Sequence, residues 1–347
     1  MPPAPNPPGQ RAAALRWDGE RLHLLDQTLL PAEERWITLA GVPDTVDAIR
    51  RLAIRGAPNI GIAGAYGLAM AVTTNPSRVA VRAAADALAS ARPTAVNLAW
   101  AVERVAAAAD GATGELGERA AGAAARAEAE RIHSEELLAA MELARHGAEL
   151  LRGATRILTH CNTGALAAPA GGTALGVIAA LHDADPSVRV LACETRPLLQ
   201  GARLTAWELQ REGIPFELLV DGAAAGLIRT GQVDAVVVGC DRVAANGDTA
   251  NKVGTYAHAL AAAAAGIPFV VAGPTSTVDL ATPDGTAIEV EERAADEVRA
   301  FGNAPVAPDG VAVRNPAFDV TPSELITAIV TERGVARAPY TESLTAL

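Results

Sequence analysis

Beyond Gly153 the chain repeats one pattern five times. A run of five or six mostly apolar residues is followed by a loop carrying Gly, Asn, Asp or Thr, and then by a stretch of helical spacing. The runs fall at 155–159, 188–192, 215–220, 235–239 and 268–272. Strands that are apolar throughout, without alternation, are buried on both faces, and strands separated by helices pair in parallel. Residues 151–347 are therefore expected to form a doubly wound, mostly parallel, Rossmann-like α/β domain. The segment 286–313 reads as irregular. A last helix is expected after Thr321-Pro322, where proline suits a first helical turn.

The first half reads differently. Val46, Ile49, Leu52 and Ala53 recur at helical spacing after Pro43, with Asp44 or Thr45 as a suitable N-cap. Arg55 to Ala71 starts as a Gly/Pro loop and enters a helix of small residues. Further helices are expected at 78–92, 94–110 and 115–151, the last with Ala127, Ile132, Leu137, Leu138, Met141 and Leu150 facing a core. A short β element is expected between Leu22 and Trp36. Residues 13–150 thus read as a smaller, mainly helical N-terminal domain, and the Pro-rich residues 1–12 as a disordered tail.

Composition excludes several functions. A net charge of −11 and a pI near 5.1 oppose nucleic acid as a partner, while leaving room for a basic pocket around one small phosphate. The start of the chain has no apolar core of a signal peptide, and no apolar run has membrane-spanning length, so a cytoplasmic protein without membrane contact is expected. Cys161, Cys193 and Cys240 are too few and too scattered for a disulfide framework, and read as reduced thiols. No P-loop, no dinucleotide fingerprint and no metal-type ligand spacing is present, so neither a cofactor nor a metal is expected. The 29 basic side chains include a single lysine, Lys252.

Ligands of an open parallel sheet bind beyond the carboxyl ends of its strands. Here those ends carry His160-Cys161-Asn162-Thr163-Gly164, Cys193-Glu194-Thr195-Arg196-Pro197, Asp221-Gly222, Cys240-Asp241-Arg242 and Gly273-Pro274-Thr275-Ser276-Thr277. Cys161 is a candidate nucleophile, since Asn-Thr-Gly after it can open a helix whose dipole lowers the pKa of a thiol. Asp241 is a candidate acid. Asn246 to Lys252 combines a turn, an expected helix start and a cation, which suits an anion. Arg55-Gly56-Ala57-Pro58 and Arg92-Pro93-Thr94 each set an arginine at a turn into a helix, where a phosphate can be held. His160 reads as structural, and Cys193 and Cys240 as packing residues.

Taken together, LDQTLLP, RGAPNIGIAGAYG, RPTAVNLAWAV, ILTHCNTGALA, ACETRPLLQGARLTAWEL, DRVAANGDTANKVGTYAHALAA, VAGPTSTVD, IEVEER and NPAFDVTPSELITAIVTERGV resemble the methylthioribose-1-phosphate isomerase family, in order and spacing, from about residue 25 to 335. The wider family also holds isomerases of ribose 1,5-bisphosphate and 5-deoxyribose 1-phosphate, and non-catalytic regulatory subunits of the eukaryotic initiation-factor exchange complex. The resemblance implies an aldose–ketose isomerase of methionine salvage, acting on a sugar phosphate as a homodimer without metal. It implies Cys161 and Asp241 as catalytic residues, and Arg55, Gly56, Ala57, Arg92, Gln200, Asn251 and Lys252 as substrate contacts. One departure is Ala170-Gly171-Gly172-Thr173, which lacks the aromatic residue of the family's Gly-Tyr-Gly-Thr turn.

Overall fold

The computed structural model describes residues 11–92, 95–116, 118–301 and 304–347, without side chains at 113–116 and 118–119. The expected tail falls almost wholly on residues 1–10, outside the described residues; Arg11 and Ala12 are described, and Ala12 is buried. Two compact units divide the chain: residues 1–141 with 164–172, and residues 142–163 with 173–347.

The first unit opens with an antiparallel sheet, β1 (Leu15–Trp17), β2 (Leu22–Leu25) and β3 (Trp36–Leu39), followed by α1 (Val42–Arg50), α2 (Ala57–Thr74), α3 (Arg78–Ala89) and α4 (Val96–Leu116). α5 (Glu118–Leu150) begins in this unit. Apolar on all sides, α2 is buried along nearly its whole length and forms the unit's centre. In α5 the expected core face holds at Ile132, which is buried, and in part at Leu150, which is half-buried; Ala127, Leu137, Leu138 and Met141 are exposed instead, and Ala121, Ala125, Ala129, Ala140 and Leu143 are buried. The buried stripe is mostly alanine at three- and four-residue spacing, so side-chain size misleads where close helix approach selects small residues.

The second unit runs β4 (Arg156–Thr159), α6 (Ala174–Ala184), β5 (Arg189–Cys193), α7 (Ala206–Glu212), β6 (Phe216–Leu219), α8 (Ala224–Arg229), β7 (Ala235–Val238), β8 (Arg242–Ala244), β9 (Thr249–Lys252), α9 (Thr255–Ala265) and β10 (Phe269–Ala272). After it come β11 (Val278–Asp279), β12 (Ala300–Phe301), β13 (Ala304–Pro305), β14 (Phe318–Thr321), β15 (Ala328–Thr331) and β16 (Gly334–Ala336). All five expected strands are present. The main sheet has the order β16-β15-β10-β7-β4-β5-β6, parallel except for β16. Counted by chain order, its six parallel strands run 3-2-1-4-5-6, the doubly wound order with its switch point between β4 and β7. One apolar cluster includes Ile157, Val190, Val237 and Val270; another includes Leu158, Val236, Val271 and Ile329. Alternate residues of the same strands thus feed two cores, one on each face.

The helix expected after Thr321-Pro322 does not form. Ser323–Leu325 makes a single 3-10 turn, and the chain enters β15, which pairs with β10 and β16. The β-branched Ile329, Val330 and Thr331 fill a fully buried strand position, and that burial outweighs the helical spacing. A second sheet, β11-β8-β9-β14, lies at the carboxyl end of β7.

Candidate functional site

Cys161 and Asp241 follow β4 and β7, the neighbouring strands that flank the switch point. Parallel neighbours lie about 4.8 Å apart, so the topology sets the two strand ends side by side at the switch point. Cys161 sits in a left-handed conformation, φ 65°, which costs a residue with a Cβ about 1–2 kcal/mol. Two buried hydroxyls hold it there. The Cys161 N–H donates to Thr195 Oγ1 at 2.9 Å, and Thr205 Oγ1 donates to the Cys161 carbonyl at 2.7 Å. Thr195 in turn donates to the carbonyl of Cys193 at 3.1 Å. The adjacent Asn162 donates to the buried carboxylate of Glu208 at 2.6 Å and to Thr205 at 3.2 Å.

No helix opens on Asn162, contrary to expectation. The chain passes through turns, and α6 begins only at Ala174. Gly164–Gly172 belongs to the first unit, while Thr173 N–H closes back on the Thr163 carbonyl at 2.8 Å.

Thr195 therefore positions the backbone of Cys161. Thr195→Val is expected to leave that buried N–H without its acceptor, at a cost of about 1–3 kcal/mol. Turnover should fall with it, and Thr195→Ser should restore both. Denaturant melts beside steady-state rates check this; a valine variant of unchanged stability and rate removes Thr195 from the role.

Gln200 precedes a π-helical turn, Gly201–Thr205. It is buried, and its Oε1 has no hydrogen-bond partner among the described residues. Asp241 is anchored by its backbone N–H to the Ala250 carbonyl at 2.9 Å, which ties it to β9.

Asn251 and Lys252 lie within β9, where a helix start had been expected. Asn246 to Lys252 forms the turn and second strand of the β8–β9 hairpin, with Gly247 at φ 90°. α9 starts at Thr255, and its entry is already occupied: Asp319 accepts from Gly254 N–H at 2.6 Å and Tyr256 N–H at 3.1 Å. Burial raises the Asp319 pKa, a shift those two hydrogen bonds and Lys252 partly offset. The Lys252 ammonium is buried, donates to the Ala317 carbonyl at 2.6 Å and lies 4.6 Å over the Phe318 ring. Asn251 donates to Thr255 Oγ1 at 2.9 Å.

In the first unit, Arg55-Gly56-Ala57 leads into α2. Gly56 is its N-cap at φ 85°, and a Cβ there would lie 2.3 Å from the Ala167 carbonyl oxygen, so only glycine fits. Arg92 precedes α4, with Pro93 and Thr94 outside the described residues. Cys161, Gln200, Asp241, Asn251 and Lys252 are thus held by one unit; Arg55, Gly56, Ala57 and Arg92 belong to the other.

His160 donates from Nε2 to the Val253 carbonyl at 2.8 Å, and Cys240 packs with its Sγ 3.3 Å from Thr277 Oγ1. Thr195, Thr205, Glu208 and Asp319 were not read from the sequence as site residues. The CETRP segment marked Thr195 at a strand end, but nothing in the spacing brings Thr205 or Asp319 to the residues they hold.

The initiation factor 2 subunit family matches residues 53–338. A methylthioribose-1-phosphate isomerase of Anaeromyxobacter sp. (strain K) is 54% identical over 326 residues, covering 94% of each chain, and one of Desulforudis audaxviator is 52% identical over 336 residues, covering 95% of this chain and 96% of that one. The crystal structure of 5-methylthioribose 1-phosphate isomerase from Pyrococcus horikoshii OT3 superposes with a TM-score of 0.90 at 38% identity, covering 96% of this chain and 95% of that one. That of the translation initiation factor eIF-2B, subunit delta, from A. fulgidus superposes with a TM-score of 0.85 at 40% identity, covering 96% and 98%. With this extent of match, the chain belongs to the initiation factor 2 subunit family and, within it, to the methylthioribose-1-phosphate isomerases.

Proposed function

We propose that the chain converts 5-methylthioribose 1-phosphate to 5-methylthioribulose 1-phosphate, the isomerase step of methionine salvage. The observation that carries this reading is the pair Cys161 and Asp241 at the two strand ends flanking the switch point, in a chain about half identical to isomerases of that name.

The chemistry explains why two such groups are needed. A phosphate on C1 prevents spontaneous ring opening, so no free aldehyde is available. Asp241 gives its proton to the ring oxygen as the bond from C1 to that oxygen breaks. Hydrogen then moves from C2 to C1. In one route Cys161, as thiolate, removes the C2 proton, and the resulting enol is reprotonated at C1 while its C2 hydroxyl loses its proton to give the ketone. In the other a hydride shifts directly from C2 to C1, the C2 hydroxyl loses its proton as the ketone forms, and Cys161 stabilises the charge.

Gln200 Oε1 accepts a sugar hydroxyl in this reading. Asn251 and Lys252 contribute polar and cationic contacts, and Arg55, Gly56, Ala57 and Arg92 are assigned to the phosphate and sugar. No described helix is long and apolar enough to cross a membrane, and we read the protein as a cytoplasmic homodimer, the commonest closed assembly.

The test is an NMR time course in D₂O with 5-methylthioribose 1-phosphate, beside ribose 1,5-bisphosphate. Ketose formation from the methylthio sugar is expected, and deuterium at C1 assigns the enol route. Turnover of the bisphosphate alone moves the substrate assignment; turnover of neither makes a regulatory role, like that of the initiation-factor subunits, the leading reading.

A further inference from the structure

His160, Cys193 and His258 come from β4's end, β5 and α9, and no step of the isomerisation uses their side chains. All three are buried. His258 Nε2 lies 3.2 Å from His160 Nδ1 and 3.7 Å from Cys193 Sγ, and the three ligand atoms all fall within 4.8 Å of one another. Among the described residues this is the one group of three or more such ligands. We propose that it is a buried site for a divalent transition ion of the zinc type, bound by His160 Nδ1, His258 Nε2 and Cys193 Sγ.

Three observations support this. The first is spacing. With Zn–N near 2.0–2.1 Å and Zn–S near 2.3 Å, a tetrahedral ion holds two nitrogen ligands about 3.4 Å apart and a nitrogen and a sulfur about 3.6 Å apart. The distances of 3.2 and 3.7 Å match that frame, and the remaining pair, His160 Nδ1 and Cys193 Sγ, within 4.8 Å of each other, reaches it by a shift of the Cys193 side chain. The second is the tautomer of His160. Its Nε2 faces the Val253 carbonyl at 2.8 Å and must carry the hydrogen, so Nδ1 of the neutral ring presents a lone pair to the group. The third is charge: the Asp221 carboxylate lies beside the group, its Oδ1 4.0 Å from His160 Nδ1.

Binding balances simply. The Cys193 Sγ–H bond breaks, its proton leaves to solvent and an Sγ–metal bond forms. His258 moves its hydrogen from Nε2 to Nδ1, and no electron is transferred. One thiolate and two imidazoles are a soft, nitrogen-rich set that suits Zn²⁺ or Co²⁺ over Mg²⁺ or Ca²⁺. The ion is structural in this proposal, cross-linking β4, β5 and α9 beneath the site.

The full-length chain is produced in zinc-supplemented medium, gel-filtered and assayed for bound metal. A second sample is unfolded with chelator and refolded with Co²⁺. The expected result is one zinc per chain, and in the cobalt form a thiolate-to-cobalt absorption band in the near ultraviolet. Cys193→Ser should lose that band while keeping its far-ultraviolet circular dichroism, and His258→Leu should lower metal content. Folded protein with less than about 0.1 ion per chain in both preparations overturns the proposal and leaves a hydrogen-bonded triad. So does a cobalt spectrum unchanged by Cys193→Ser.

Discussion

Asp241→Asn is expected to lower kcat by roughly 10²–10⁴-fold, the range for losing a positioned proton donor, with KM changed only a few-fold. Asparagine has nearly the size of aspartic acid. The backbone bond from residue 241 N–H to the Ala250 carbonyl, which fixes the residue against β9, does not involve the side chain. The loop geometry and the neighbouring Asn251 and Lys252 should therefore persist. What disappears is a group able to give up a proton: an amide can hydrogen-bond the ring oxygen but cannot transfer a proton to it. A matching fall in kcat and kcat/KM would mark an interaction made only in the transition state. The measurement is ketose formation under saturating and limiting substrate. Intact turnover would remove Asp241 from the mechanism and leave ring opening to another group.

Gly201→Ala should destabilise the fold by about 3–5 kcal/mol, near the top of the range for a single overpacked position. A Cβ on Gly201 would lie 1.7 Å from the Cys193 carbonyl oxygen and 3.0 Å from Thr195 Oγ1. Neither neighbour is the free end of a long side chain. The first is backbone at the end of β5, and the second holds the Cys161 N–H. Relief requires moving either the end of β5 or the π-helical turn, and both movements disturb the placement of Cys161. Activity should thus fall with stability. Gly226, in α8, has nothing within 4 Å of an added Cβ, so Gly226→Ala is the control that should not destabilise. Urea melts of the three proteins decide it; Gly201→Ala within about 1 kcal/mol of the parent would mean that the β5 end is more compliant than the packing indicates.

The parallel strands were legible because burial on both faces removes alternation and leaves short apolar runs such as Ala235–Val238. β15 was not. Its Ala-Ile-Val-Thr follows a proline and continues a helical spacing, and only pairing with β10 decides its conformation. The outward Leu137, Leu138 and Met141 misled for a related reason: a stripe of alanines carries little hydrophobic signal, yet it is what a closely packed helix buries. Cys161 and Asp241 were legible as strand-end residues, because the topology of a parallel sheet fixes where its ends go. The hydroxyls of Thr195 and Thr205, the cap that Asp319 places on α9, and the meeting of Cys193 with His258 were not. Each joins residues from separate elements, and no local spacing encodes such a meeting.

The single lysine has a use outside recognition. A chain with one lysine carries one ε-amine, and this one is closed in by the Ala317 carbonyl and the Phe318 ring across the β9–β14 pairing. Its labelling rate in the native protein therefore reports the accessibility of this one amine, free of signal from any other side-chain amine.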